Sequence, residues 1–210
     1  MDPPELQPAS TLAAPGLNFT AHMRQLCADI AARLPEFSHI DVELVAIRVC
    51  QTRKDSAHGI YASLTPLRLE GGRRVVVRGS RSWGIQPLRD SSGREMLYLL
   101  SFYLPRFCNQ PFKEKLATIM HELWHIGPCF DGDLRRLPGR CFAHGHSAEE
   151  FHKAMRHWAE RWLGAGPPQE LFAFLEGDFR QLCLRYGKIF GTRVRTPKLI
   201  PLPRDGCEGY

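Results

Sequence analysis

The sequence predicts an α+β domain, because one helical segment precedes four strand-like segments and further helical segments follow them. Chains that collect strands and helices in separate runs belong to the α+β class, whereas regular alternation of strand and helix predicts a parallel α/β sheet. The chain has 210 residues, of which 43% are apolar and 24% charged, the ordinary composition of a globular domain. We therefore expect residues 17–186 to form a single domain.

The first predicted element is a helix over 18–34, where apolar residues recur at three- and four-residue intervals until Pro35 ends the pattern. Runs rich in β-branched and aromatic residues then predict strands. These strands are expected at 41–50, 58–66, 73–79 and 95–104. We expect them to form one small sheet of about four strands.

Three more helices are predicted after the strands, at 112–126, 148–163 and 170–186. Gly127 and Pro128 end the first of them, and Ser147 is a suitable N-cap for the second. The segments outside the domain differ from it in composition. Residues rich in proline and alanine predict disorder at the N-terminus, and a basic stretch predicts an extended tail at the C-terminus. These two segments are 1–16 and 187–210.

The first helix after the strands carries the motif H-E-L-W-H. His121, Glu122 and His125 share one stripe of that helix, because their spacing follows its 3.6-residue period. Two imidazoles four residues apart can bind one metal ion at about 2.0–2.1 Å from each nitrogen. A glutamate beside the first histidine can reach a water on that ion without being a ligand itself. The pattern indicates a catalytic site with one Zn²⁺ per chain.

A catalytic zinc site of this kind needs a third protein ligand. His144 and His146 lie just before the second helix, and Gly145 between them gives the chain freedom to turn back. The other candidates are Asp131, Glu149 and Glu150.

The motif H-E-L-W-H, followed by a loop and then by H-S-A-E-E-F, resembles the SprT-like and phage-type metallopeptidases over about 41–157. The resemblance implies a zincin-like fold with an N-terminal helix, a small sheet, an active-site helix and C-terminal helices. It also implies that the strand at 95–104 borders the cleft and pairs with an extended peptide. The site residues that it implies are the zinc ligands His121, His125 and His146, with His144 as the alternative third ligand, and the general base Glu122.

Several classes of protein are disfavoured by composition. The seven cysteines are scattered and form no C-x-x-C pair, which argues against a disulfide scaffold and against the zinc ribbon of many SprT-like proteins. No stretch approaches the roughly 20 apolar residues of a membrane helix. Because a secretory signal pattern is also lacking, we expect a cytoplasmic protein with no membrane partner.

We therefore expect a zinc-dependent metallopeptidase that acts on a protein or peptide, with Glu122 taking a proton from a zinc-activated water. The alternatives are a non-catalytic zinc-containing module associated with nucleic acid and a metal-dependent hydrolase of a non-peptide amide. Glu122 favours an enzyme, because a purely structural zinc site needs a fourth ligand and no base. Candidate donors to the oxyanion are Tyr103, His144 and Arg140.

The net charge of +6 makes nucleic acid a candidate partner, although scattered arginines also form an ordinary solvated surface. No pattern predicts the oligomeric state. The histidines His152 and His157 lie on the helix after the motif and are expected to be ordinary, partly exposed surface residues. The basic clusters are Arg73, Arg74, Arg78 and Arg81, then Arg135, Arg136 and Arg140, and in the tail Lys188, Arg193, Arg195, Lys198 and Arg204.

Overall fold

The computed structural model describes residues 16–52, 59–136 and 148–203, and it confirms the mixed α+β class. The helices are α1 (Phe19–Arg33), α2 (Phe112–Trp124), α3 (Ala148–Gly164) and α4 (Phe179–Tyr186). The strands are β1 (Leu17–Asn18), β2 (Val45–Gln51), β3 (Ala62–Pro66), β4 (Val75–Arg78), β5 (Arg81–Ile85), β6 (Tyr98–Leu104), β7 (Ile189–Phe190) and β8 (Leu199–Pro201). The predicted disordered segment 1–16 lies outside the described residues apart from Gly16.

The central sheet has the strand order β2-β6-β3, with β2 parallel and β3 antiparallel to β6. One face of β6 carries Tyr98, Leu100 and Phe102, all fully buried. The ring of Phe19 in α1 packs edge-on against Phe102, with ring centres 5.6 Å apart. The apolar face of α2 belongs to the same core. The main hydrophobic core therefore lies between this face of the sheet and the helices.

The opposite face of the central sheet is covered by the C-terminal segment. The buried guanidinium of Arg48 donates hydrogen bonds to the carbonyl of Val194 at 2.7 Å and to the hydroxyl of Thr196 at 2.8 Å. The segment also forms β7 beside β1 and β8 beside β5. The tail predicted at 187–210 is thus extended, but its described part is bound to the domain. Its last seven residues lie outside the described range.

The prediction of one sheet with about four strands is wrong, because the predicted strands belong to two different sheets. The segments predicted at 41–50, 58–66 and 95–104 contribute the three strands of the central sheet. The segment predicted at 73–79 contributes β4 to a separate antiparallel sheet with the order β4-β5-β8. Strands β5 and β8 were not predicted from the sequence, because β5 contains a glycine and its second partner comes from the distant tail.

The helix predicted at 170–186 is also wrong in its first half, where two short 3-10 turns precede α4. The buried ammonium of Lys115 explains the difference. It donates hydrogen bonds to the carbonyls of Leu175 and Gly177, at 2.8 and 2.6 Å. In a continuous helix those carbonyls would accept from amides four residues later. Helix α4 begins instead after Asp178, whose side chain accepts from the backbone N–H of Gln181 in a capping box.

No described helix is long and apolar enough to cross a membrane.

Candidate metal centre

The two histidines of the motif lie side by side at the C-terminal end of α2. The ring centres of His121 and His125 are 4.7 Å apart, with the ring planes at 75°. His125 is the C-cap residue, and its backbone keeps the helical conformation, so the four-residue spacing still holds. Two imidazoles that share one zinc at about 2.0–2.1 Å from each nitrogen have ring centres about 5 Å apart. The separation of the two rings therefore matches that of two imidazole ligands of one metal ion.

Helix α3 brings one residue against both imidazoles. The ring of Phe151 lies 5.0 Å from that of His121, edge-on, and 6.2 Å from that of His125, stacked. Phe151 is in the first turn of α3, which begins at Ala148. The N-terminal end of α3 therefore adjoins the histidine pair.

Glu122 is buried, with only 7% of its surface exposed. Burial raises the pKa of its carboxyl to about 7, because ionisation in a site with little water is costly. A hydrogen bond from the backbone of Leu64 in β3 opposes this rise by stabilising the carboxylate. Glu122 consequently changes protonation state near neutral pH in the metal-free protein.

Glu122 and His121 form part of the wall of a cavity of about 620 Å³. The remaining wall comes from the start of β3, from the turn that precedes α2, from the N-terminal half of α2 and from α3. The residues of α2 and α3 that line it with His121 and Glu122 are Glu114, Ala117, Thr118 and His152. The cavity is large enough for several atoms of a substrate beside the candidate base.

The edge of the central sheet beside this cavity belongs to β3. Strand β6 is paired on both sides, so the prediction that the strand at 95–104 offers an edge to a peptide is wrong. The register of β3 with β6 directs the N–H and C=O groups of residues 60, 62 and 64, and the carbonyl of Pro66, away from β6. Arg106 donates to the carbonyl of Ile60, and the N–H of Leu64 meets Glu122. Ala62 is the outward-facing residue of β3 itself that lines the cavity.

The candidates for the third ligand differ in where they lie relative to the cavity. His144 and His146 lie outside the described residues. The carboxylate of Asp131 accepts from the N–H of Asp133 at 3.1 Å and lies against Gly72, away from the cavity. Glu149 and Glu150 are exposed on the first turn of α3. Within the described ranges, no group of three metal-binding side chains is present, and the third ligand stays a prediction.

The candidates for the oxyanion donor also differ in where they lie. Tyr103 alternates with the core-facing residues of β6, and its hydroxyl lies 3.3 Å from that of Ser63 on the far face of the central sheet. Tyr103 is therefore wrong as a donor in the cavity. The other two candidates, Arg140 and His144, are outside the described residues.

His152, expected from the sequence to be an ordinary surface histidine, lines the cavity. Its Nε2 atom lies 3.1 Å from Oε2 of Glu114, and Arg156 approaches the other carboxylate oxygen at 2.7 Å. No spacing in the sequence could have shown this, because the contact depends on how α2 and α3 pack together.

No protein-family model, curated protein or solved structure matches the chain. The residues of the site therefore carry the functional assignment.

Proposed function

We propose that the protein is a zinc-dependent metallopeptidase. The observation that carries the proposal is a pair of adjacent imidazoles beside a buried glutamate whose pKa is raised to about 7, with that glutamate and His121 on the wall of a cavity. A structural zinc site is closed by four protein ligands, whereas a catalytic site keeps an open position. A cavity beside the histidine pair favours the open, catalytic kind.

The residues present fit one zinc ion per chain. His121 and His125 would supply two ligands, and His146 the third, with His144 as the alternative. His146 precedes Ala148 by two residues, and two residues of chain span at most about 7 Å. Because Phe151 in the first turn of α3 contacts both imidazoles, this reach supports His146. The resemblance to SprT-like and phage-type metallopeptidases supports the same ligand set.

A zinc ion held there would polarise the scissile carbonyl and favour ionisation of the attacking water. The carboxylate of Glu122 would accept a proton from that water and later deliver it to the nitrogen of the leaving amine. A base whose pKa lies near the working pH can perform both transfers. The burial that raises the pKa of Glu122 therefore also prepares it for this role.

The substrate class in this proposal is an extended protein or peptide segment. Such a segment can add to the edge of a sheet through its own backbone groups. The outward N–H and C=O of Ala62 are suited to this pairing, because they lie on the cavity side of β3. In an antiparallel arrangement, residues after the scissile bond would extend towards Ile60 and Arg106.

The test is the Glu122→Gln variant, analysed for zinc content and for hydrolysis of a fluorogenic peptide library and of unfolded protein. Glutamine is not a base, so the zinc content should be unchanged, whereas kcat should fall by about 10²–10⁴-fold. His121→Ala should lose tight zinc binding, because it removes a ligand. Glu160→Gln, an exposed position on α3, is the matched control and should behave like the wild type.

Activity of the Glu122→Gln variant at the wild-type level would refute the peptidase mechanism. A full equivalent of zinc in His121→Ala would place the metal elsewhere. Turnover of small amides without cleavage of any peptide would favour the non-peptide hydrolase that the motif also allows.

A further inference from the structure

The β4-β5-β8 sheet is unusually exposed for a structural element. Gly84 is its only buried residue, and residues on both of its faces are open to solvent. Val75, Val77 and Leu199 are 43%, 68% and 38% exposed. Side chains this exposed add little to the stability of the fold, so stability alone does not account for their presence in this sheet.

The two stretches that build this sheet are basic and contain no acid. Residues 71–89 and 187–203 together hold nine lysines and arginines and no aspartate or glutamate. The rest of the chain has more acidic than basic residues. The pairing of β5 with β8 brings these two distant stretches together. The excess positive charge therefore lies in these two stretches, and two of its arginines, Arg78 and Arg81, stand in the strands of this sheet, which favours an anionic partner there.

Two arginines of the sheet face each other directly. Arg78 in β4 is paired with Arg81 in β5, and both are exposed. Within the described ranges neither guanidinium has an ion-pair partner, whereas Arg74 and Arg89 both pair with Glu95. Like charges directly opposite one another destabilise a sheet, and an anion bound between them would offset that cost.

Trp83 lies on the same face as these two arginines. It is two residues from Arg81 in β5, and its cross-strand neighbour is Val76. The chain's other three tryptophans each contact another aromatic ring. Trp83 makes no such contact with any described residue and is partly exposed. A partly exposed indole ring on the same face as two guanidinium groups that have no ion-pair partner among the described residues can stack a base while they bind phosphates.

We propose that the β4-β5-β8 sheet binds single-stranded nucleic acid, with phosphates at Arg78 and Arg81 and a base on Trp83. The aromatic ring decides the class of polyanion, because an acidic peptide or a sulfated polysaccharide has no base to stack. The proposal does not depend on the peptidase activity, since none of these residues lines the catalytic cavity.

The experiment uses the full chain and a fluorescein-labelled oligothymidine of about 15 nucleotides, a length at the upper end of the site sizes seen for single-strand-binding domains. Fluorescence anisotropy gives the Kd over a series of salt concentrations. Each phosphate bound to a cation contributes about 0.7 to the salt slope for a single strand. Replacing both Arg78 and Arg81 with glutamine should therefore weaken binding and lower the slope by about 1.4.

The matched control is the double variant Lys153→Gln with Arg180→Gln, two exposed cations on α3 and α4. It makes the same change in net charge away from the sheet, and its slope should stay close to the wild-type value. Trp83→Ala should weaken binding about ten-fold with an unchanged slope, because stacking releases no counterions. Trp83→Phe should recover most of the affinity, and it guards against misfolding of the alanine variant.

Absence of binding at low salt would overturn the proposal. An arginine pair variant no weaker than the control variant would do the same, by moving the binding site off this sheet. Equal affinity for oligothymidine and for heparin, with no effect of Trp83→Ala, would leave a general polyanion surface and refute base stacking. The Glu122→Gln variant should bind as the wild type does, which separates this test from that of the proposed peptidase.

Discussion

The central sheet and the β4-β5-β8 sheet each have three strands, but their side chains differ in burial. In β6 every residue except Tyr103 is buried, whereas in β4 no residue is. The central sheet is held by its core and positions Glu122 and the histidine pair through α2. The second sheet has little core, and its strands carry Arg78 and Arg81, which have no ion-pair partner among the described residues. Burial in the core explains the residues of the first sheet, whereas the proposed nucleic-acid partner would explain the exposed arginines of the second.

The largest expected effect concerns the contribution of the central sheet to stability. Phe102→Ala removes a fully buried ring that packs against Phe19 and Phe107, and it should lower the free energy of unfolding by about 3–5 kcal/mol. Val77→Ala in β4, a side chain 68% exposed, should change it by less than about 0.5 kcal/mol. Urea denaturation measures the free energy of unfolding of both variants. Similar losses in the two would show that the two sheets do not differ in their contribution to stability.

The next effect concerns the cost of keeping Glu122 buried. Its pKa is raised from 4.5 to about 7 in the folded metal-free protein, so the folded state holds its proton more tightly than the unfolded chain. The resulting penalty is absent below about pH 4.5, grows as the pH rises to about 7 and is constant above it. Glu122→Gln removes this penalty. It should therefore stabilise the chelator-treated protein by about 3 kcal/mol at pH 8 and leave it unchanged at pH 4.

Urea denaturation at the two pH values provides the measurement for Glu122→Gln. Equal stabilisation at both would show that ionisation of the carboxyl is not the cause.

A smaller effect tests the open edge of β3. Ala62→Pro removes an N–H that points away from β6, so the pairing within the central sheet should survive. If a peptide substrate pairs there, the lost hydrogen bond should lower kcat/KM by about 5- to 10-fold, equivalent to about 1 kcal/mol. Ser63→Ala, which alters only a side chain on the far face, is the control. Unchanged kcat/KM in Ala62→Pro would exclude this pairing.

The smallest effect on stability tests whether repulsion between Arg78 and Arg81 destabilises their sheet. Arg78→Glu places a carboxylate opposite Arg81 and should raise the free energy of unfolding by about 0.2–1 kcal/mol. The same substitution should weaken binding of single-stranded nucleic acid more than Arg78→Gln does. A variant that is both less stable and fully able to bind would show that the pair has a structural role only.

The sequence predicted best those elements whose pattern is local. The apolar and aromatic content of 95–104 corresponds to β6, and the helical periodicity of 112–126 corresponds to α2. The spacing of His121 and His125 predicted that the two rings lie side by side. What it missed depends on contacts between distant residues. Lys115 interrupts the helix predicted at 170–186, and no local pattern shows a hydrogen bond across 60 residues.

The site shows the same division between local and distant information. Glu122 was predicted as the base from its place in the motif, whereas its raised pKa depends on how α2 packs against β3. His152 reaches the cavity only because α3 crosses α2 beside Glu114. The pairing of β5 with β8 joins segments more than 100 residues apart. Contacts of this kind between distant elements cannot be predicted from local patterns in a single sequence.

The connection between β5 and β8 also affects when the parts of the molecule form during synthesis on the ribosome. The central sheet, α1 and α2 are complete once residue 124 has been made, and they can begin to pack while the chain still grows. Until β8 is made, β4 and β5 form only an isolated hairpin, which is marginal in water. The segment that Arg48 fixes across the central sheet delivers β8 afterwards. The arginine-bearing sheet is therefore completed late, when the candidate metal centre already has its scaffold, and a nascent chain would acquire the two surfaces in sequence.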